Sequence, residues 1–230
     1  ITRPDQLTAL AVRYQHKSLI TISGNYDDFT LEDDITLPDG WIGIGTQKAK
    51  FAGTFEGNGH TITLKGSSAP LFNYVNGKAI VTALNIELDD VTMQPIHVVA
   101  SLDERDVKYT GYHWGAVAGL NYGTISACTV YGTAEYNGEL GDLYIGGIAG
   151  RNTSTMEGCQ AGNATTSLTM RVTCGDSASS YVGGALGKNE EKDVSFIPSG
   201  SAETLTHNVM LETNAANVGG LVGCTTGEVK

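Results

Sequence analysis

The segment YIGGIAGRN, residues 144–152, recurs along the chain and decides the fold. Related blocks with the same order of glycine and apolar residues are HWGAVAGLN (113–121), YVGGALGKN (181–189) and NVGGLVGCT (217–225). Steps of 31, 37 and 36 residues separate the last glycines of the four blocks, Gly119, Gly150, Gly187 and Gly223. A looser copy, SSAPLFNYV (67–75), lies 46 residues before the first block. Repetition at this period is typical of stacked units that cannot bury their apolar faces alone.

A second motif follows the glycine block at constant spacing. Seven residues after Asn121 and Asn152 come Cys128 and Cys159, so that like residues fall in like positions of successive repeats. Segments this short and this rich in glycine, threonine and β-branched residues favour strands. With a third strand such as SLTMRVT (167–173), the sequence predicts an all-β fold, a parallel β-helix of about five coils with about three strands per coil. An antiparallel β-sandwich is the alternative, but few Asn-Gly hairpin signals support it.

The first residues have the pattern of a short amphipathic helix. Four apolar residues recur there at helical spacing: Leu7, Leu10, Ala11 and Tyr14. We expect residues 1–18 to form a helix that caps the open end of the first coil, and residues 19–230 to form the β-helix. Because no atypical polar unit follows the last repeat, we also expect the β-helix to continue beyond residue 230 or to join another domain there.

The amino-acid composition limits the kinds of molecule that the chain can bind. The chain has 25 Asp and Glu against 14 Lys and Arg, a net charge of −11. An acidic surface argues against binding to nucleic acid or to an anionic membrane. No apolar run approaches the roughly 18 residues that a membrane-spanning helix needs.

Two further segments carry a family resemblance. WIGIG (41–45) and FAGTFEGNGHTITL (51–64) stand between the predicted helix and the glycine blocks. In this order the segments resemble the GLUG-motif repeat proteins, which are bacterial surface and secreted proteins. The same repeats occur as noncatalytic regions of large immunoglobulin A-cleaving proteases. The resemblance implies a parallel β-helix exported by a bacterium, located outside the cell or on its surface, and it implies no catalytic residues. The chain departs from the pattern at residues 70–73, where a second glycine is missing, and at Thr225, where asparagine is expected.

The residues that could carry chemistry are scattered. The five histidines include no H-E-x-x-H motif, and the four cysteines do not have zinc-binding spacing. We therefore predict no metal site, no cofactor and no catalytic residue. Stacked Cys128 and Cys159 are expected to pack as small apolar side chains, although an exported protein could oxidise them. Acidic pairs such as Asp33-Asp34 fall at expected corners, where a solvated role is the simplest interpretation.

One column of residues suggests a binding face. His113, Tyr144, Tyr181 and Asn217 stand two positions before each glycine pair, or before the equivalent Gly-Ala. The neighbouring column is apolar and is expected to face inward: Trp114, Ile145, Val182 and Val218. Strand alternation then turns the aromatic column outward, beside a projecting excursion at residues 89–114. We take as candidate ligand-binding residues Tyr112, His113, Trp114, Tyr144 and Tyr181. The competing interpretation is that the tyrosines only cover the sheet.

The sequence thus leads to a function without an assigned ligand. We expect a noncatalytic module of a secreted or surface protein, adhesin-like or binding a glycan or a host or cell-surface protein. The alternative is a carbohydrate-active β-helix enzyme, a polysaccharide lyase or a glycoside hydrolase. A cleft with two or three convergent carboxylates and a basic residue would distinguish the alternative.

We also expect Asn121, Asn152 and Asn189 to stack at one corner, in or near the left-handed backbone region, with their amides linked.

Overall fold

A computed structural model describes residues 1–16, 28–99, 110–176, 179–190, 194–197 and 205–229. The helix of this part of the chain is α1 (Pro4–His16). Its first turn contains Pro4 at a position where proline needs no N–H partner, and the Gln6 side chain accepts hydrogen bonds from the N–H groups of Thr2 and Arg3. The buried side chains are those that the sequence pattern indicates: Leu7, Leu10, Ala11 and Tyr14. They cover the apolar interior at the start of the stack, where the Tyr14 ring lies 6.1 Å from that of Phe51.

The strands form four sheets, which we call A to D. Sheet A contains β1 (Phe29–Thr30), β3 (Thr54–Glu56), β6 (Ile80–Thr82), β11 (Thr124–Ser126), β15 (Thr155–Glu157) and β20 (Val194–Ser195). Sheet B contains β2 (Ile35–Thr36), β4 (Thr61–Ser68), β7 (Asn85–Met93), β12 (Thr129–Asn137), β17 (Leu168–Thr173) and β21 (Val209–Thr213), with β16 (Gln160–Ala161) paired to β12.

The glycine blocks supply the other two sheets. Sheet C contains β5 (Phe72–Val75), β10 (Ala118–Asn121), β14 (Ala149–Asn152), β19 (Leu186–Asn189) and β23 (Val222–Thr225). Sheet D contains β8 (Ile96–Val98), β9 (Gly111–Gly115), β13 (Leu143–Gly146), β18 (Tyr181–Gly183) and β22 (Asn217–Gly219).

Equivalent strands of successive repeats pair in parallel and in register. Tyr144, for example, lies opposite His113 on one side and Tyr181 on the other. Among the strand pairs of the described residues, β8 with β9 is the antiparallel one. The prediction of an all-β fold built from parallel sheets is therefore confirmed, and the antiparallel sandwich is not what forms.

The number of strands per repeat differs from the prediction. From residue 143 to residue 173 the chain visits sheets D, C, A and B in turn, which gives four strand positions instead of three. We call the strands of one such passage a row. The glycine block, expected to be a single strand, is divided into β13 and β14 by a corner at residues 147–148.

The corner is possible because sheets D and C meet without side chains between them. A Cβ atom placed on Gly115, Gly146 or Gly183 would lie 2.6 Å from a backbone nitrogen of the following row, that of Gly150, Gly187 or Gly223. Real Cβ atoms do not approach a backbone nitrogen so closely. Glycine is therefore required in this column by the close approach of two backbones.

Side chains that alternate with these glycines fill the interior. Trp114, Ile145 and Val182 are in register and fully buried, as the sequence predicts, whereas Val218, the fourth residue of the predicted inward column, is 50% exposed. Toward α1, aromatic rings occupy the same space, with Phe72 4.7 Å from Phe51 and 5.4 Å from Phe55 between ring centroids. Val81, Ile125 and Met156 form another buried column in register.

The three asparagines link successive rows. The Asn121 amide donates to Asn152 Oδ1 at 2.7 Å, and the Asn152 amide donates to Asn189 Oδ1 at 2.8 Å. Thr225 ends this asparagine ladder, since its hydroxyl accepts from the Asn189 amide at 3.2 Å. The hydroxyl of Thr225 also accepts from the Gly227 N–H, just as Asn121 Oδ1 accepts from the Gly123 N–H. Threonine can therefore replace asparagine at the end of the ladder.

The prediction of a left-handed backbone at the asparagines is wrong. Asn121, Asn152 and Asn189 end strands β10, β14 and β19, and none has positive φ. The side chains of Asn121 and Asn152 close the turn by hydrogen bonding two residues ahead, which makes a left-handed residue unnecessary there. A left-handed residue recurs instead at the junction of sheets A and B, at Ala83 (φ 51°), Ala127 (φ 50°) and Gly158 (φ 59°).

A single methyl group tests the backbone contact between sheets D and C. We expect Gly146→Ala to lower the free energy of unfolding by about 1–3 kcal/mol or more, because the new Cβ overlaps backbone atoms that cannot move aside. Gly220→Ala is the matched control, since a Cβ there has no atom within 4 Å, and we expect a change within about 0.5 kcal/mol. Urea unfolding of both variants measures the difference. Equal losses for both variants would refute the contact.

Candidate functional site

The predicted aromatic column exists as a stack of parallel rings. The His113 and Tyr144 rings are 4.7 Å apart at 8°, and the Tyr144 and Tyr181 rings are 5.2 Å apart at 13°. The separation follows from the parallel register of β9, β13 and β18, because strands in a sheet are about 4.8 Å apart. Asn217 occupies the next position of the column.

The rings lie on the outer side of sheet D, but most of them are covered. His113 and Tyr144 are buried, and only Tyr181 is half-buried. Each face of the Tyr144 ring is occupied by a neighbouring ring. The expectation that the whole column is exposed as a binding face therefore needs correction, because His113 and Tyr144 are buried and Tyr181 alone of the three rings is partly exposed.

Two cations from sheet C lie against the rings. The Arg151 guanidinium is 4.8 Å from the centroid of Tyr144, and the Lys188 ammonium is 4.9 Å from that of Tyr181. Arg151 and Lys188 are in-register partners in β14 and β19, so each cation reaches the ring of its own row. Cations within about 6 Å of a ring centroid are attracted by the negative face of the π system. We call Tyr144, Tyr181, Arg151, Lys188 and Glu190 the aromatic–cation cluster.

Glu190 joins the two cations. Its carboxylate accepts from two nitrogens of Arg151, with Arg151 Nη2 at 2.7 Å from Oε1 and Nε at 3.2 Å from Oε2. Lys188 Nζ lies 2.8 Å from Oε1. The side chains are largely withdrawn from solvent, with 4% exposure for Arg151, 17% for Lys188 and 12% for Glu190. A bidentate arginine–carboxylate pair in such surroundings fixes geometry as well as charge.

The titration of the cluster follows from these contacts. Burial alone would raise the pKa of Glu190, but hydrogen bonds and charge from Lys188 and Arg151 outweigh it and hold the pKa below its usual value. Burial raises the pKa of Tyr144, against an opposing effect of the same two cations. At neutral pH Tyr144 is therefore a neutral phenol and Glu190 a carboxylate.

The remaining candidate residues lie apart from the cluster. Trp114 is fully buried in the core, where its Nε1–H donates to the Ser68 carbonyl at 3.0 Å, so that its ring has no surface for a ligand. Tyr112 is half-buried and stacks on the exposed His97, with ring centroids 4.3 Å apart. The structure thus brings His113, Tyr144 and Tyr181 into one column and leaves Tyr112 beside it with His97.

The described part of the excursion packs against the stack. β8 pairs with β9, and its Val98 forms a small apolar cluster with Tyr74 and Leu120 on the outer side of sheet C. Ile96 packs against this cluster and lies over Gly119, where a Cβ would be 2.7 Å from Ile96 Cδ1. Residues 100–109, where a projecting loop is expected, lie outside the described residues.

Sequence reasoning missed the charged members of the cluster. Arg151 and Lys188 follow the last glycine of their blocks directly, in GRN and GKN, and Glu190 follows the asparagine of the second. The repeated basic residue was a usable signal, since equivalent positions of successive repeats lie side by side. The position is occupied by leucine and cysteine in the other blocks, at Leu120 and Cys224, which hides the pattern.

The other acidic and cysteine residues considered as candidates make structural contacts. At the corners, carboxylates of Asp28, Asp34 and Asp39 accept backbone N–H bonds from Thr54, Thr61 and Ser67 of the next row. The Thr61 N–H, aided by His60, lowers the pKa of Asp34. Cys128 and Cys159 are free and buried, and burial raises the pKa of the Cys159 thiol. In the described residues no group of three or more His, Cys, Asp or Glu could hold a metal ion.

No family model matches the chain. No curated protein and no solved structure matches it either. In the described parts of the chain, no helix has the length and apolar character to cross a membrane.

Removing Glu190 tests whether the cluster holds two rows together. We expect Glu190→Ala to lower the free energy of unfolding by about 3 kcal/mol, because the buried Arg151 loses its bidentate anion. Glu212→Ala is the control, since Glu212 pairs with Arg171 where both side chains are more than half exposed, and we expect less than about 1 kcal/mol. Urea unfolding at pH 7 compares the two variants.

The Arg151–Glu190 pair should also make the free energy of unfolding depend on pH in the acid range. The folded-state pKa of Glu190 lies below its unfolded value of about 4.3. Its stabilisation is therefore complete above about pH 4.3 and is lost as the pH falls through the folded-state pKa. Glu190→Gln should lose stability at pH 7 and depend less on pH between about 5 and 3. An unchanged acid dependence would contradict the assignment.

Proposed function

We propose that the chain is a noncatalytic binding module of a secreted or surface-attached bacterial protein, and that its rows form a parallel β-helix. Four parallel sheets visited in the same order support the architecture. The resemblance of the glycine blocks to GLUG-motif repeats supports the location outside the cell or on its surface. On this proposal the chain is adhesin-like, and its partner is a glycan or a protein of a cell surface.

The observation that carries the proposal is the position of Tyr181 in the aromatic–cation cluster. Tyr181 is the half-buried ring of the column, fixed by Tyr144 on one side and by Lys188. A ring held in this way loses little conformational entropy when its edge and hydroxyl contact a partner. The binding strip that we propose consists of Tyr181 and Lys188.

The charge of the strip limits its partners. Within the cluster two cations face one carboxylate, a local excess of one positive charge, whereas the whole chain has a net charge of −11. Long-range repulsion by the acidic surface disfavours polyanions such as nucleic acids. Hydroxyl-rich neutral glycans and neutral or basic protein surfaces remain, and tyrosine hydroxyls with a lysine suit both by hydrogen bonding.

A screen with two matched variants tests the proposal. The parent chain is presented to a glycan array and to a panel of cell-surface proteins, and each partner found is titrated. We expect Tyr181→Ala to weaken binding at least about tenfold, because truncating an interface tyrosine typically costs more than about 1 kcal/mol. Tyr131→Ala replaces a similarly half-buried tyrosine of sheet B and should leave the affinity unchanged. Circular dichroism checks that both variants are folded.

Two other outcomes of the screen would contradict the proposal. Equal affinities of parent and Tyr181→Ala would place binding elsewhere and refute the strip. Release of reducing or unsaturated sugar ends from an array glycan by the parent would refute the noncatalytic part and support the carbohydrate-active alternative.

A further inference from the structure

Two buried cysteines lie beside each other in consecutive rows in the middle of the stack. Strand partners in register flank Cys128 and Cys159 on both sides: Ser126 with Glu157 before them, and Thr129 with Gln160 after them. The Gln160 N–H also donates to the Cys128 carbonyl at 2.8 Å, so the bonding between rows continues through this position. The two cysteines are therefore neighbours across a single row spacing.

The two thiols have matching surroundings in the closed interior. Cys128 Sγ lies 3.2 Å from the Ser126 carbonyl oxygen, and Cys159 Sγ lies 3.4 Å from the Glu157 carbonyl oxygen. Both side chains are fully buried in the main apolar core, and both are free in this structure. Burial raises the pKa of the Cys159 thiol, and the neighbouring Cys128 thiol raises it further. Cysteines in such surroundings are shielded from dissolved reagents once the rows have closed.

Packing alone does not require cysteine in two consecutive rows. Leu84 is the equivalent residue of the preceding row, because its carbonyl accepts from the Thr129 N–H as that of Cys128 accepts from the Gln160 N–H. Leu84 is fully buried, so the position accommodates a larger apolar side chain. A pair of cysteines differs from leucine in one respect that matters here, since two thiols in contact range can be joined covalently.

The spacing of the rows suits such a link. Adjacent strands are about 4.8 Å apart, which lies within the range of about 4.4–6.8 Å between the Cα atoms of a disulfide. The Cβ atoms, at the same spacing, are slightly farther apart than the usual 3.5–4.5 Å or so, and closing the bond would draw the two rows slightly together. We propose that Cys128 and Cys159 form a stabilising disulfide between consecutive rows, made while the chain folds in an oxidising compartment.

The reaction is a thiol–disulfide exchange, and its oxidant is a disulfide-containing thiol compound or protein. The thiolate of one cysteine attacks the oxidant's disulfide, forms a mixed disulfide and releases one oxidant thiolate. The thiolate of the other cysteine then attacks the protein sulfur of the mixed disulfide and releases the second oxidant sulfur. The chain loses two protons and two electrons, and the oxidant is reduced to two thiols. Because exchange needs an accessible thiolate, it precedes closure of the rows.

Peptide mapping of the refolded chain tests this inference, which does not depend on the binding strip. The whole 230-residue chain is refolded with reduced and oxidised glutathione, free thiols are blocked with N-ethylmaleimide, and trypsin cleaves it without reduction. Trypsin places the four cysteines in four separate peptides, with Cys128 in 109–151 and Cys159 in 152–171. We expect these two peptides to be joined, with a mass two hydrogen atoms below their sum, and the other two cysteines to be blocked.

Thermal unfolding measures the effect of the bond. The oxidised chain should unfold about 5 °C or more above the reduced chain, because the bond closes a loop over residues 128–159 in the unfolded state. Cys128→Ala should remove this difference between oxidised and reduced samples. Cys224→Ala is the matched control, since it changes a half-buried cysteine of β23 outside the pair, and it should keep the difference.

Three results would overturn the proposal. The first is a chain that refolds, as circular dichroism shows, with all four thiols blocked. The second is a cross-link from Cys128 to a cysteine other than Cys159. The third is equal unfolding temperatures of the oxidised and reduced parent chains, which would show that the two rows gain nothing from being joined.

Discussion

Close contact between the backbones of sheets D and C is the constraint on which the other features depend. Gly115, Gly146 and Gly183 leave room for the next row of sheet C to pass directly over them. The contact turns the glycine block through a corner and divides it into two strands. It also fixes which residues of one row stand over which residues of the next, because a shift by one position would place a side chain against backbone.

Once the rows are in register, polar residues can be buried in partnership with their own copies. Asn121, Asn152 and Asn189 bond along the stack, and Arg151 with Lys188 shares the carboxylate of Glu190. The asparagine amides and the Arg151–Glu190 pair find their partners in another row, and buried polar groups must find partners. Within the aromatic–cation cluster the Tyr144 ring is likewise stacked between rings of the two neighbouring rows, His113 and Tyr181.

Much of the fold was accessible from the repeat spacing. The constant offset of glycines and of the columns beside them predicts parallel strands in register, and the column of Trp114, Ile145 and Val182 was correctly predicted as inward. The division of the glycine block was missed, because a pair of glycines is compatible with a strand and with a corner. The left-handed positions were also missed, since Ala83 and Ala127 are not residues that usually adopt positive φ.

The site was less accessible than the fold. The aromatic column was visible as a repeat, but its contacts with Arg151 and Lys188 were not, because these side chains reach across from a different sheet. A lateral contact of this kind depends on the angle between sheets D and C. Sequence spacing determines the order of residues along a strand and does not determine that angle.

The central claim is that glycine contact and buried asparagines hold the rows in a single register. Hydrogen exchange of the asparagine side-chain amides, followed by NMR, tests it most directly, because a bonded and buried amide exchanges only when the stack opens. The account predicts strong protection for Asn121, Asn152 and Asn189, of the order of that of the core strand amides, and rapid exchange for the exposed Asn137. Exchange of the three ladder amides as fast as that of Asn137 would contradict it.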